Sequence, residues 1–124
     1  MAKTATSRAR FSKLCLRLPE VSEEVIGQHS AFSVRNKKFA YFLVDHHGDG
    51  RVSVQCKGPP GENAALVNGD PVRFFLPPYM AHRGWIGLYV DVGTIDWEEL
   101  QELLSDAYLL TAPKRLAAQV RPDA

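Results

Sequence analysis

Hydrophobic positions repeat with a helical period near both ends of the chain and with a strand period between them. Four apolar residues near the N-terminus share one helix face: Phe11, Leu14, Cys15 and Leu18. Four near the C-terminus do the same: Leu100, Leu103, Leu104 and Ala107. The spacing predicts an amphipathic helix over about residues 7–18 and another that begins at Thr94 or Asp96. Asp96 and Glu99 have the spacing of a capping box.

The middle of the chain has the alternation and short apolar runs of β-strands. Five strands are predicted, over residues 32–35, 39–44, 52–56, 72–76 and 85–91. The segment around Gly27 is predicted as a turn, and residues 62–67 as a short helix. Gly87, inside the fifth strand, indicates a bulge or a close approach by another group. Pro113 either kinks the last helix or begins a short final one.

These elements predict an α+β fold, in which an antiparallel five-stranded sheet packs against the N- and C-terminal helices. A chain of 124 residues can bury a core without disulfides or metals. We therefore expect a single domain over residues 1–124, with an ordered core over about residues 7–120, and we expect a monomer.

The pattern of cysteines and apolar runs bears on location. The chain has 2 cysteines, far apart and in no metal-binding motif, which fits a reducing cytoplasm. The basic N-terminus lacks the apolar segment of a signal peptide. No apolar run approaches the roughly 18 residues of a membrane span. We expect a cytoplasmic protein with no membrane partner.

Charge is unevenly distributed although the net charge is only +1. Residues 1–19 carry basic residues and no acidic one, whereas acidic residues predominate from Asp91 onward. Two interpretations remain open: solvated helix faces that suit the helix dipoles, or a basic face that seeks a partner. A dedicated nucleic-acid-binding protein is usually more basic overall.

The residues do not indicate a reaction. Cys15 lies on the apolar face of a helix and Cys56 on the buried side of a strand, so both are predicted as core residues. The segment 58–61 lacks the Lys and Ser/Thr of a phosphate-binding loop. His46 and His47 lie in a turn without the oxygen spacing of a calcium loop. We expect no catalytic residue, no metal and no cofactor.

Cationic and aromatic residues gather on the predicted hairpins, a combination that binds nucleic acid by phosphate contact and base stacking. The candidate nucleic-acid-binding residues are Arg35, Lys37, Lys38, Lys57, Arg73, Arg83 and Trp85. Arg51, Ser53, Gln55 and Lys57 are predicted to leave one strand on the same side. The alternative is a polar sheet face that only keeps the protein soluble. Trp85 either stacks on a base or packs in the core.

A second hypothesis places a protein- or small-ligand-binding pocket on the segment that follows Pro77 and Pro78. The double proline ends one strand and stiffens the loop before the next. Its candidate ligand-binding residues are Tyr79, His82, Arg83 and Trp85.

Several short motifs, in order, resemble the MmcQ/YjbR-type family over about residues 9–118. They are Cys15-Leu-Arg-Leu-Pro-Glu20, Phe32-Ser-Val-Arg-Asn-Lys-Lys-Phe-Ala40, Val52-Ser-Val-Gln-Cys-Lys57, Tyr79…Arg83-Gly-Trp85…Asp91 and Glu102-Leu-Leu-Ser-Asp-Ala-Tyr108. The resemblance implies a fold related to the frataxin-like CyaY proteins. It also implies a "double-wing" DNA-binding role without catalytic residues.

The chain departs from common members of that family in one segment. Gly84-Trp85-Ile86-Gly87 stands where they more often carry an Asn-Lys-x-His-Trp-Asn-type loop. Functions tied to those polar side chains are therefore not expected. The frataxin-like shape raises iron binding, but frataxin-type acidic ridges involve the first helix. Because the first helix here is basic, iron binding is disfavoured.

Overall fold

A six-stranded antiparallel sheet forms the centre of the fold, seen in a computed structural model that describes residues 2–121. The strands are β1 (Val21–Ile26), β2 (His29–Val34), β3 (Lys37–Val44), β4 (Val52–Cys56), β5 (Phe74–Phe75) and β6 (Ile86–Tyr89). Their spatial order is β1-β2-β3-β4-β6-β5, with antiparallel neighbours throughout. Four helices accompany them: α1 (Ala2–Leu16), α2 (Glu62–Gly69), α3 (Trp97–Thr111) and α4 (Lys114–Val120). The α+β class and the antiparallel sheet are confirmed.

The core lies between one face of the sheet and the first and third helices. Phe11 of α1 meets Phe32 of β2 edge-to-face, with ring centroids 5.5 Å apart. Phe39 of β3 meets Tyr108 of α3 in the same way at 5.8 Å. The Tyr108 hydroxyl donates to the Pro19 carbonyl at 2.7 Å, so the buried ring still satisfies its polar end. We call this side of the sheet the helix face and the opposite side the second face.

The prediction of five strands is wrong, because β1 was interpreted as part of a turn. The sequence of β1, VSEEVI, has two adjacent glutamates and exposes most of its residues, as an edge strand does. Polar contacts hold it in place. The Glu23 carboxylate accepts hydrogen bonds from Ser30 at 2.7 Å and from Ser12 of α1 at 3.1 Å. No hydrophobic alternation marks such a strand.

The predicted strand over residues 72–76 shrinks to Phe74–Phe75, because prolines lie close on both sides of it. The predicted close approach at Gly87 is confirmed. A Cβ atom there would lie 2.5 Å from the Phe75 ring. Phe75 in turn stacks on Tyr89 with ring centroids 4.4 Å apart. The missing side chain of Gly87 thus lets an aromatic pair cover one end of the second face.

The ends of the helices differ in part from the predictions. The α1 helix begins at Ala2 and ends at Leu16, so it starts earlier and stops earlier than the predicted 7–18. Asp96 caps α3 as predicted, because its side chain accepts from the Glu99 amide at 3.1 Å. Pro113 precedes α4, which confirms the short final helix. No helix in residues 2–121 is long and apolar enough to cross a membrane.

Candidate functional site

Three of the predicted cations meet in one depression on the second face, which we call the cationic groove. It has a volume of about 570 Å³. Its charged and aromatic lining consists of Lys38, Lys57, Arg83, Tyr41 and Trp85, with Met80 at one end. Within the described chain, none of the three cations has an ion-pair partner. Their charge is therefore available to an anion.

A β-bulge decides which lysine of the first hairpin enters the groove. Ser33 pairs with Lys38, but the next pair joins Phe32 to Ala40, so Phe39 is the extra residue. Phe39 turns into the core beside Tyr108. Lys38 then lies on the second face, while Lys37 lies opposite the core residue Val34 on the helix face. Without the bulge the two lysines would exchange sides.

The loop that carries Arg83 is tightly anchored to the fold. The buried Asn63 of α2 donates from its amide to the carbonyls of Ala81 at 2.9 Å and Trp85 at 3.1 Å. Gly84 has a φ of 90°, and a Cβ there would lie 2.5 Å from the Gly58 carbonyl oxygen. Only glycine fits this contact. The position of Arg83 therefore depends on both Asn63 and Gly84.

Trp85 forms the floor of the groove and is not offered as a free stacking surface. It is 3 % exposed. Its ring packs against the half-buried Tyr41, with centroids 5.5 Å apart. Of the two interpretations left open for Trp85, the structure favours core packing.

Two other candidate arginines are already paired with carboxylates. Arg35 contacts Glu20 at 2.7 Å, and this hydrogen bond raises the pKa of Arg35 and lowers that of Glu20. Arg73 contacts Glu99 at 2.8 Å and Asp70 at 2.7 Å, and both contacts raise its pKa. A phosphate would have to compete with these carboxylates. We therefore leave Arg35 and Arg73 out of the site, together with Lys37.

A second depression adjoins the cationic groove and shares Tyr41 and Met80 with it. We call it the tyrosine hollow, and its volume is about 330 Å³. It is lined by Tyr41, Leu43, Gln55, Pro78, Tyr79 and Met80, with His46 and His47 at one side. The lining is mostly apolar, as is typical of ligand sites. Of the four residues predicted for a pocket, Tyr79 lines this hollow and Arg83 and Trp85 line the groove, whereas the exposed His82 lines neither.

Three histidines cluster beside the tyrosine hollow. His29 accepts a hydrogen bond at Nδ1 from the Val44 amide at 3.1 Å. The rings of His46 and His47 lie 3.9 Å apart. Burial lowers the pKa of His46, and His47 and His29 lower it further by charge repulsion. His46 is therefore uncharged at neutral pH.

Neither cysteine is placed for chemistry. Cys15 and Cys56 are both buried in the core, which confirms their prediction as core residues. Burial raises the pKa of Cys15, and it raises that of Cys56 to about 12. A thiol is nucleophilic only as the thiolate, so neither serves as a nucleophile near neutral pH. In residues 2–121, no group of three or more His, Cys, Asp or Glu side chains is arranged to hold a metal ion.

A further basic surface lies between α1 and α3, and we call it the helix groove. Its volume is about 540 Å³, and its positive side chains are Arg10, Lys13 and Arg17. The Arg10 guanidinium lies 4.5 Å from the Trp97 ring centroid, a cation–π contact. Glu98 also lines this groove. The excess of basic residues in the N-terminal segment signals this surface, but no candidate site was predicted on it.

Sequence reasoning missed Tyr41 and Met80, which join the two depressions. Gln55 was recognised only as one of several polar residues on its strand. Its side is confirmed, because Gln55 pairs with Tyr41 across the ladder and Ser53 pairs with Leu43. Tyr41 belongs to an apolar run that predicts a buried strand, and the neighbouring residues in the sequence do not indicate that Tyr41 faces a groove.

Comparisons with known proteins place the fold. A family model described as YjbR matches residues 16–110. The chain belongs to the YjbR family. This confirms the resemblance seen in the sequence, and the matched region contains the whole of both depressions on the second face. A search of curated proteins finds no match to this YjbR-family chain.

A solved structure has a similar fold. The chain is similar to the crystal structure of Deinococcus radiodurans protein DR2400, described as a DUF419 domain, with a TM-score of 0.66 and 23% sequence identity. The match covers 90% of this chain and 82% of that one. At this identity the likeness concerns the fold alone.

Proposed function

We propose that this YjbR-family protein binds DNA weakly, without catalysis, through the cationic groove. The observation that carries the proposal is the convergence of Lys38, Lys57 and Arg83, all without ion-pair partners in the described chain, on one groove. Phosphate contacts supply most of the affinity of sequence-tolerant nucleic-acid binding. The family's suggested double-wing role agrees with such an interface.

The proposal narrows the hairpin surface inferred from the sequence. It keeps three of the seven candidate residues as phosphate contacts and assigns Trp85 to the floor beneath them. It includes no catalytic step, and the buried thiols with raised pKa values support that part. We further propose that the protein acts as a monomer in the cytoplasm.

A fluorescence anisotropy titration with labelled DNA at several salt concentrations tests this function. Three phosphate contacts predict that log K falls with log[salt] with a slope of about −2 for a single strand. Absence of binding at low salt would contradict the proposal. Binding without salt dependence would contradict it as well, because it would exclude phosphate contacts.

Binding of a protein segment or a small ligand is the second candidate. The mostly apolar tyrosine hollow next to an anion-attracting groove favours it. On this alternative, changes of Trp85 and Arg83 abolish capture of the partner or ligand and leave DNA affinity unchanged. Titration of wild type and these variants with DNA therefore distinguishes the two functions.

A further inference from the structure

The floor of the tyrosine hollow carries a polar group that the protein does not use. Gln55 is only 8 % exposed, and its side chain lines the hollow. Among residues 2–121 its amide has no hydrogen-bond partner. No side-chain nitrogen or oxygen atom that is buried from solvent in the described residues lacks a partner, so the unpaired amide atoms of Gln55 reach the open space of the hollow, where a ligand can contact them. An amide offers a donor and an acceptor side by side.

Two tyrosines line the hollow together with this amide. Tyr41 lies directly opposite Gln55 in the β3–β4 ladder. Tyr79, on the wall of the hollow, is 88 % exposed, which is unusual for a side chain of this size. A planar group that enters the hollow therefore finds ring surfaces beside it and hydrogen-bonding atoms at its floor.

The backbone holds Tyr79 in an uncommon conformation. Its φ is 68°, in the left-handed region that favours glycine. Pro77 and Pro78 precede it, and the Pro77 carbonyl accepts from the Met80 and Ala81 amides at 3.2 and 3.0 Å. Strained residues held by their surroundings concentrate at functional sites. The loop thus fixes an exposed ring at the mouth of the hollow.

The tyrosine hollow and the cationic groove adjoin each other, because both are lined by Tyr41 and Met80. We propose that the hollow receives one unstacked base of a single-stranded nucleic acid, whose phosphates lie on Lys38, Lys57 and Arg83. The Gln55 amide bonds the edge of the base, as Gln does with adenine. This inference rests on the proposed function and narrows its ligand to a single strand, because a base within a duplex has no free face to offer.

Four labelled probes test the inference by anisotropy at low salt. They are an adenine-containing single strand of about twelve nucleotides, the same strand with abasic sites, its duplex, and adenosine monophosphate. The intact strand is expected to bind roughly tenfold more tightly than the abasic strand, since stacking is sequence-tolerant and strong. The abasic strand carries the same phosphates and isolates the contribution of the base.

Two variants locate the base. Tyr79→Gly removes the ring, and Gln55→Leu removes the amide while filling the space. Each is expected to abolish most of the difference between intact and abasic strands. Tyr79→Gly is also expected to keep or raise the thermal midpoint, because glycine accepts the φ of this position. Tyr79→Phe, the matched control, keeps the ring and is expected to bind as wild type does.

The outcomes separate this inference from the proposed function. Equal affinity for intact strand, abasic strand and duplex would overturn the single-strand inference but leave phosphate binding in place. No binding of any probe would overturn both. Adenosine monophosphate bound as tightly as the strand would also overturn the inference, in favour of a small-ligand site. If both Tyr79→Gly and a folded Gln55→Leu variant still bound the intact strand more tightly than the abasic strand, the base would not lie in the hollow.

Discussion

The cationic groove and the helix groove both concentrate positive charge, but they are built differently. In the cationic groove each cation comes from a different part of the fold: Lys38 from β3, Lys57 from the end of β4 and Arg83 from the 3₁₀ turn Ala81–Arg83. In the helix groove all three come from α1 or its end. The first surface therefore depends on strand register and loop anchoring, and the second on helical spacing alone.

The two grooves also differ in what remains unused beside the charge. In the helix groove, Arg10 already lies over Trp97 and Glu98 contributes a negative charge. Beside the cationic groove, the ring of Tyr79 is exposed and the Gln55 amide is unpaired. The charge of the cationic groove is thus accompanied by groups that can contact a ligand, whereas part of the charge of the helix groove is already engaged.

Loss of the loop anchor gives the largest expected effect. Gly84→Ala places a methyl group against the Gly58 carbonyl at a φ of 90°. We expect a loss of about 2–3 kcal/mol in the free energy of unfolding and weaker DNA binding. Gly93→Ala, next to the helix groove, is the matched control. Its φ is also positive, but no atom lies within 4 Å of the added methyl, so a loss of about 1 kcal/mol is expected.

Urea unfolding and a DNA titration of both glycine variants check this prediction. Equal destabilisation by the two changes would show that the contact with Gly58 is unimportant. If Gly84→Ala destabilised the protein but left its DNA affinity unchanged, the loop that carries Arg83 would not contribute to DNA binding.

Removal of charge from one groove at a time compares them directly. The triple variant Lys38→Ala, Lys57→Ala and Arg83→Ala is expected to lose roughly tenfold in affinity for a single strand at low salt, and its salt slope is expected to fall by about 2. The triple variant Arg10→Ala, Lys13→Ala and Arg17→Ala removes the same formal charge. It is expected to change affinity less than about threefold. Equal losses would make binding a property of net charge and contradict the difference between the grooves.

Removal of an ion-paired cation and removal of an unpaired cation should have different effects on thermal stability. Arg73→Ala removes contacts to Asp70 and Glu99, so we expect the thermal midpoint to fall by roughly 3–5 °C with DNA affinity unchanged. Lys37→Ala, which removes an exposed cation with no ion pair in the described residues, is expected to alter neither. If Arg73→Ala lost affinity for DNA, Arg73 would be a DNA-binding residue, contrary to this prediction.

Features that leave a local pattern in the sequence could be predicted, and features that depend on distant contacts could not. The helical stripes, the Asp96 cap and the strands with a buried side were predictable, because each leaves a local hydrophobic or capping pattern. The edge strand β1 was not, since its stability comes from Glu23 hydrogen-bonded to Ser12 and Ser30. The site required knowledge of the bulge at Phe39, which places Lys38 on the same face as Lys57. A single extra residue in a strand changes the sheet face on which the following side chains lie, and no local sequence pattern reveals it.

Acidification gives the smallest expected effect on stability and binding, and it acts through His46 beside the tyrosine hollow. The pKa of His46 is lowered in the fold, so its contribution to stability is present above about pH 6.5 and is lost as pH falls through the folded pKa. Protonation beside the tyrosine hollow should also strengthen binding of a strand below that range. His46→Gln is expected to weaken both trends when stability and affinity are measured from pH 7.5 to about 5.5. Identical pH profiles for wild type and variant would contradict a strand near His46.

Chemical-shift mapping of the labelled protein during titration with a single strand tests the central claim most directly. The account predicts that the largest changes fall on residues of the cationic groove and the tyrosine hollow, including the Gln55 side-chain amide and the backbone amides of Lys57 and Arg83. Residues of α1 are predicted to shift little. Changes concentrated on Arg10, Lys13 and Trp97, with the Gln55 amide unmoved, would contradict it.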